Sequence, residues 1–254
     1  MRALCSFLAI TSIATASCGG NDSSNPGNVL DPLALAPQVS QSELTASIQG
    51  LEALGTRYTV GQGDERARDY LVGRITSMGL TAELDPFPVG GETANNVIVR
   101  HEGTEQPNVV YIFSAHYDSI SNAPATSAPG ADDNGTGVAA VLEAARLLTK
   151  YSFKYSIWFV FTAAEEQGSL GSKHLAEWVN AQGFDARGAI APDMIGYWPQ
   201  GDGDQMDILG DPQSEMLVDH MAMVATTLGV GFKKWVDHQY CYGAKEPEIK
   251  ITPV

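Results

Sequence analysis

Tyr155-Ser156-Ile157-Trp158-Phe159-Val160-Phe161-Thr162 is a nearly continuous run of β-branched and aromatic residues. With no polar face alternating against an apolar one, it reads as a strand buried on both sides, as in a sheet covered by helices. Upstream, Val138, Val141, Leu142, Ala145 and Leu148 recur at helical spacing, and Val109 to Ser114 is another strand signal. Downstream, Leu170 to Gln182 reads as a helix, a short strand ends near Asp193, and Glu215 to Leu228 gives a further helix stopped by Gly229. Strand and helix alternate from residue 109 onward, which predicts an α/β fold: a mostly parallel mixed sheet sandwiched by helices. Ahead of it, Leu44, Ile48, Leu51 and Leu54 form one helical stripe closed by Gly55. A second helix is expected from an N-cap at Asp64 to Met78, with Ala67, Leu71 and Ile75 on one side and Gly79 as its stop. Strands are expected at Leu80 to Leu84 and Asn96 to Arg100, with a turn at Glu102 to Pro107.

The chain has 254 residues, 44% of them hydrophobic, enough for one good core and short for two. Its formal charge is −15, from 15 basic and 30 acidic residues, without a basic stripe or basic-aromatic interleaving. Such a chain is not built to follow a phosphate backbone, so nucleic acid is excluded as a partner. Solubility accounts for most of the acidity; divalent cations or a cationic substrate terminus are its functional uses. Met1-Arg2, the apolar run Ala3 to Ala14 and the small residues up to Cys18 read as an export signal, too short to span a membrane. Ala14-Thr15-Ala16 fits a signal-peptidase site, whereas Thr15-Ala16-Ser17-Cys18 resembles a bacterial lipobox. The polar run from Gly19 to Gly27 favours the second reading, as a tether lifting a domain off an anchored Cys18. The expected organisation is a signal peptide over 1–17, a tether over 18–40 and a catalytic domain over 41–254, in the cell envelope or secreted, with a membrane contact only through Cys18. Cys5 and Cys18 lie in the leader, which leaves Cys241 without an intrachain partner and excludes a disulfide framework.

Four acidic groups punctuate the α/β segment: His116-Tyr117-Asp118, Asp132-Asp133-Asn134, Glu165-Glu166 and Asp193. Each falls where a strand ends or a helix begins, the place where an open α/β sheet gathers ligands from distant parts of the chain. Singly they have ordinary readings. His116-x-Asp118 fits a polar strand end, and Asp132, Asp133 and Glu165 suit helix starts. Together they read as a zinc hydrolase site. His116 can ligate while Asp118 orients it. Gly130, Gly135 and Pro129 shape a loop that approaches something closely, as a carboxylate shared by two cations requires. Glu165 and Glu166 point different ways, so one can bind metal while the other faces water, and Asp193 adds an oxygen from another strand end. His101, His174 and His220 read as solvent-facing.

The order and wording of these motifs resemble the co-catalytic zinc exopeptidases typified by secreted bacterial leucyl aminopeptidases. The resemblance runs from about Leu44 to about Gly229 and includes Leu54-Gly55-Thr56-Arg57-Tyr58 and Ala67-Arg68-Asp69-Tyr70-Leu71. It implies a peptide substrate with a free N-terminus and two zinc ions. His116 and Asp193 would hold one ion, Asp132 would bridge both, and Glu166 would ligate the other. Glu165 would be the general base, Asp118 the acid steadying His116, and Asp132-Asp133 the place of a non-proline cis peptide bond. The family's fifth ligand, a later histidine, has no clear counterpart; Val236-Asp237-His238 is the nearest stretch. The expectation is therefore a truncated or frame-shifted C-terminus, one zinc weak or absent, and an impaired enzyme. The alternatives are a one-zinc glutaminyl cyclase-like acyl transferase, a carboxypeptidase with the same metals, and a catalytically impaired peptide-binding lipoprotein.

Overall fold

The computed structural model describes residues 30, 32–197 and 205–236. They belong to two compact units: residues 40–197 form one, and 205–236 with the residues before Ser40 form the other. The export leader, Cys18, His238 and Cys241 lie outside the described residues. Among the described residues no helix is long and apolar enough to cross a membrane.

The smaller unit contains α1 (Pro32–Leu35) and a 3-10 turn, Ala36–Gln38. The rest of its described residues include a strand-helix-strand unit. The α2 to α5 helices described below belong to the larger unit, and the chain returns with β6 (Gln205–Gly210), α6 (Glu215–Thr227) and β7 (Gly231–Val236). β6 and β7 pair in parallel, Met206 opposite Phe232 and Ile208 opposite Lys234. The helix predicted at Glu215 to Leu228 is α6, which connects them.

The larger unit holds α2 (Gln41–Glu52), α3 (Gln62–Ser77), β1 (Glu83–Val89), β2 (Glu92–His101), β3 (Gln106–His116), α4 (Gly135–Leu148), β4 (Tyr155–Thr162), α5 (Leu170–Gln182) and β5 (Asp185–Ile190). Its five strands run in the order β1-β2-β4-β3-β5. β3 pairs in parallel with both β4 and β5, while β1-β2 and β2-β4 are antiparallel. The sheet is thus mixed, its parallel part being the segment in which strand and helix alternate. The apolar run Tyr155–Thr162 is β4, central and buried from Ser156 to Thr162. Ile98, Val110, Ile112, Trp158 and Val160 face α5, where Leu175 and Val179 meet them with Trp178 and Phe184 beside the cluster. The alternate residues Phe113, Phe159 and Phe161 are buried as well, and α4, apolar almost all round, packs on β3 and β4. Both faces are covered, as an apolar run without alternation requires.

Two local expectations shift. The strand expected at Leu80 to Leu84 is β1, Glu83–Val89, carrying Pro86 and Pro88. Proline reads as a strand breaker, but β1 is the sheet edge and pairs with β2 alone, where a missing N–H costs little. Asp64 is not an N-cap. α3 starts at Gln62 after Gly61, so Asp64 falls in its first turn and is buried.

Candidate metal centre

β3, β4 and β5 finish at the same edge of the sheet: Phe113 lies opposite Ile190 and His116 opposite Thr162. Residues that follow these strand ends are therefore delivered to one place. His116 is the last residue of β3 and is buried. Its Nδ1 lies 3.3 Å from the Asp118 carbonyl oxygen and 3.5 Å from Asp118 Oδ1. A proton held on Nδ1 leaves Nε2 as the free lone pair. Nε2 faces Asp133 Oδ1 at 3.2 Å and Asp193 Oδ1 at 3.7 Å.

Asp118 is fully buried and braces the opposite side. Its Oδ1 accepts from Glu165 N and its Oδ2 from Glu166 N, both at 3.1 Å, tying the turn after β4 to the end of β3. Glu165 Oε1 accepts from Ser169 Oγ at 3.3 Å. Among the described residues, Glu166 Oε1 is buried without a hydrogen-bond partner.

The loop before α4 is held from behind by Arg57, whose side chain is wholly buried. Its Nε donates to Tyr117 O at 2.7 Å, Nη1 to Pro129 O, and Nη2 to Gly130 O at 2.9 Å. Gly130 has φ +50°, and a Cβ there would collide with Asp133 O and crowd Arg57, so glycine is required. Asn134 caps α4 by accepting from Gly137 N and donates from Nδ2 to Pro192 O, both at 2.9 Å. That bond links the Asp133 loop to the segment that carries Asp193.

The geometry corrects one assignment. Asp132 does not face His116: its Oδ1 accepts from Thr136 Oγ1 at 3.0 Å and from Gly196 N at 2.8 Å. Asp133, next in the chain, is the carboxylate that faces His116 Nε2. Sequence cannot say which of two adjacent acids faces inward; a Thr four residues after Asp132, one helical turn on, is the signal that was available. The non-proline cis bond lies between Asp133 and Asn134, one residue beyond the expected position. His174 is not a free surface group either: its Nε2 lies 3.0 Å from Asp85 Oδ1 and its ring stacks on Phe87. His101 Nε2 is 2.7 Å from Tyr151 O. His220 is exposed, as expected, with Nδ1 2.8 Å from Met216 O.

Electrostatics follow from the crowding of carboxylates. Burial opposes protonation of His116, but Asp118, Asp133 and Asp193 outweigh it and push the imidazole up to about 12. Asp133 is held below the ordinary carboxylate range, chiefly by its bond to His116. Burial, and then the charges of Asp133 and Asp118, push Glu166 up to about 7. Burial brings Arg57 down to about 10, with Asp118, Asp133 and Glu166 opposing the fall, so the guanidinium remains a cation at neutral pH.

The donor set suits a divalent transition metal. Ligand atoms of His116, Asp133 and Asp193 lie within 4.8 Å of one another, as do those of His116, Glu165 and Glu166. One imidazole nitrogen with carboxylate oxygens matches zinc's preference, and the orphaned Glu166 Oε1 is the buried acceptor that a cation would satisfy. A cation at Nε2 would meet the same carboxylates that raise the proton affinity of His116, so binding would release a proton.

Residues 96–230, more than half of the chain, match the profile of peptidase family M28. A probable zinc metalloprotease of Pyrenophora teres f. teres is 32% identical over 189 residues, covering 64% of this chain and 38% of that relative. This chain therefore spans well under half of that relative's length. Among solved structures, the LapA aminopeptidase of Legionella pneumophila shares the fold with a TM-score of 0.67 at 19% identity, over 79% of this chain and 56% of that one. The glutaminyl cyclase of Tannerella forsythia does so with a TM-score of 0.63 at 22% identity, over 80% of each chain.

Proposed function

This chain belongs to peptidase family M28, and on that premise we propose that it is a zinc-dependent aminopeptidase. One observation carries the reading: a single imidazole, His116, shared by two carboxylate groups, one with Asp133 and Asp193 and the other with Glu165 and Glu166. In this reading His116, Asp133, Asp193 and Glu166 would hold zinc, which when bound would supply Lewis acidity to polarise a carbonyl and would bring the pKa of a water to ~7.

The chain's own residues divide the remaining work. Glu165 is the general base: its carboxylate takes a proton from the attacking water and passes it to the departing amine. Ser169 Oγ, donating to Glu165 Oε1, fixes that carboxylate's direction. Asp118 keeps the turn carrying Glu165 and Glu166 against the strand end that carries His116. The chain charge of −15 favours a substrate with a cationic α-amino group. The LapA likeness supports an N-terminal rather than a C-terminal cut. The glutaminyl cyclase likeness, which extends over most of both chains, supports the runner-up.

The test is the full chain with added zinc, offered a leucyl peptide, its N-acetylated form, and a peptide beginning with glutamine. Release of leucine from the first alone supports the aminopeptidase. Loss of ammonia from the glutaminyl peptide without release of any residue favours the cyclase. Cleavage of the acetylated peptide refutes recognition of a free amine. The leader supports, as part of the same proposal, a peptidase exported and lipid-anchored at Cys18; incorporation of a labelled fatty acid that Cys18→Ser does not abolish would refute the anchor.

A further inference from the structure

Ala163-Ala164-Glu165-Glu166 leaves β4 with the carbonyls of Ala163, Ala164 and Glu165 bonded to backbone N–H groups of residues 168–171 but with its own N–H groups outside any strand ladder, and Ala164 sits at φ +57°, a region that non-glycine residues enter only under constraint. Its four successive N–H groups are nevertheless all met, each by a side chain. Ala163 N donates to Asn96 Oδ1 at 3.2 Å and Ala164 N to Thr59 Oγ1 at 3.2 Å. Glu165 N and Glu166 N donate to the two oxygens of Asp118. These acceptors come from three separate places: Thr59 from the α2-α3 connection, Asn96 from β2, and Asp118 from the end of β3. All three are buried, Asn96 and Asp118 at 0% exposure and Thr59 at 4%.

Asn96 is itself fixed. Its Nδ2 donates to Gly171 O at 2.9 Å and to Asp85 Oδ2 at 3.0 Å, which sets the orientation of the amide. Asp85 is held in turn by His174. Gly171 passes so close that a Cβ there would collide with Ala163 O and Asn96 Oδ1. By contrast, among the described residues the carboxylates that the turn carries have little to hold them: Glu165 Oε1 accepts from Ser169 Oγ, and Glu166 Oε1 has no hydrogen-bond partner. Their direction is therefore set by the backbone beneath them.

We propose that Thr59 and Asn96 are positioning residues, which hold the Ala163–Glu166 turn in its strained form and so aim Glu165 at its proton and Glu166 at the metal. The catalytic part of this rests on the aminopeptidase reading; the cradle itself does not. The test compares the full-length wild-type chain with Thr59→Val, which keeps the shape and removes the acceptor, with Thr59→Ser, which restores the hydroxyl, and with Asn96→Ala. Amide hydrogen exchange is measured on the metal-free proteins, zinc affinity by competition with a chromogenic chelator, and kcat and KM on the leucyl peptide.

Thr59→Val is expected to exchange about tenfold faster across Ala163–Glu166 and not in β3 or α4. It should also bind zinc more weakly and lose about tenfold in kcat with KM within about twofold, because an aim is lost rather than a substrate contact. Thr59→Ser should restore all three, and Asn96→Ala should repeat the pattern. Unchanged exchange and zinc affinity in Thr59→Val, or a Thr59→Ser protein as impaired as Thr59→Val, would overturn the proposal. If the wild-type chain releases no residue, the aminopeptidase reading falls, while the exchange and zinc comparisons still decide the cradle.

Discussion

Replacing Arg57 with methionine removes a cation that is wholly buried behind a cluster of carboxylates. Three carbonyl oxygens, of Tyr117, Pro129 and Gly130, lose their donors together, and Asp118, Asp133 and Glu166 lose the positive charge that faces them. A buried acceptor left unpaired costs ~1–3 kcal/mol, but neighbouring unpaired groups relax together and admit water, so the three do not add. Breaking a buried charged network by removing one partner costs ~3–5 kcal/mol, and that is the expected loss. For a domain of about 150–250 residues each kcal/mol moves Tm by about 2–4 °C, which places the mutant roughly 6–20 °C below wild type. Arg57→Lys keeps the charge without the planar fork that reaches three carbonyls, and should fall between the two. The assay is thermal unfolding of the metal-free full chain, followed by circular dichroism at pH 7. An Arg57→Met protein melting within about 2 °C of wild type would refute the reasoning, as would an Arg57→Lys protein equal to wild type, since the three-way geometry would then contribute nothing.

Three further outcomes follow from the same structure. Burial pushes the Asp64 carboxyl up to about 7 from an ordinary 3.8. Between those values the folded chain binds the extra proton, so this group's contribution falls by ~1.4 kcal/mol per pH unit as pH rises; Asp64→Asn should flatten the pH dependence of metal-free Tm between about pH 5 and pH 7, and an unchanged slope would contradict the assignment. Asp118→Asn leaves only one side-chain oxygen for the amides of Glu165 and Glu166 and should weaken zinc binding about 10–100-fold, measured by chelator competition, with wild-type affinity as the contrary result. Zinc at about 100 times its Kd should stabilise the chain by ~2.7 kcal/mol, a rise of about 5–11 °C in Tm that excess chelator reverses; a Tm indifferent to zinc would contradict the site.

Much of the fold was legible because burial leaves a periodic trace. β4 announced itself as an apolar run, α4 as residues at helical spacing, and the alternation after residue 109 matches the parallel pairing of β3, β4 and β5. β1 was misplaced because its two prolines mean one thing in a central strand and another at an edge, and edge position is a property of the assembled sheet. The site was legible as a set of acidic residues at strand ends, since strand ends are where that topology puts ligands. Which acid faces inward was not legible: Asp132 and Asp133 have the same chemistry, and the choice depends on Thr136 and Gly196 engaging Asp132. Arg57, Thr59 and Asn96 were invisible as site residues because they act through backbone groups up to 105 positions away, and contact across such a distance leaves no local pattern. His174 failed for the same reason, its partner Asp85 lying on another element.

His116, Asp133, Glu166 and Asp193 are the proposed zinc centre, with Asp132 outside it. The direct measurement is zinc affinity and zinc content, by chelator competition and elemental analysis, of the full chain and of Asp132→Asn and Asp133→Asn. Asp133→Asn is expected to lose at least about tenfold in affinity while Asp132→Asn stays within a few-fold of wild type, an asparagine oxygen being able to accept from Thr136 and Gly196 but not to supply the missing charge. The reverse order, or a wild-type chain that retains no zinc, would contradict it.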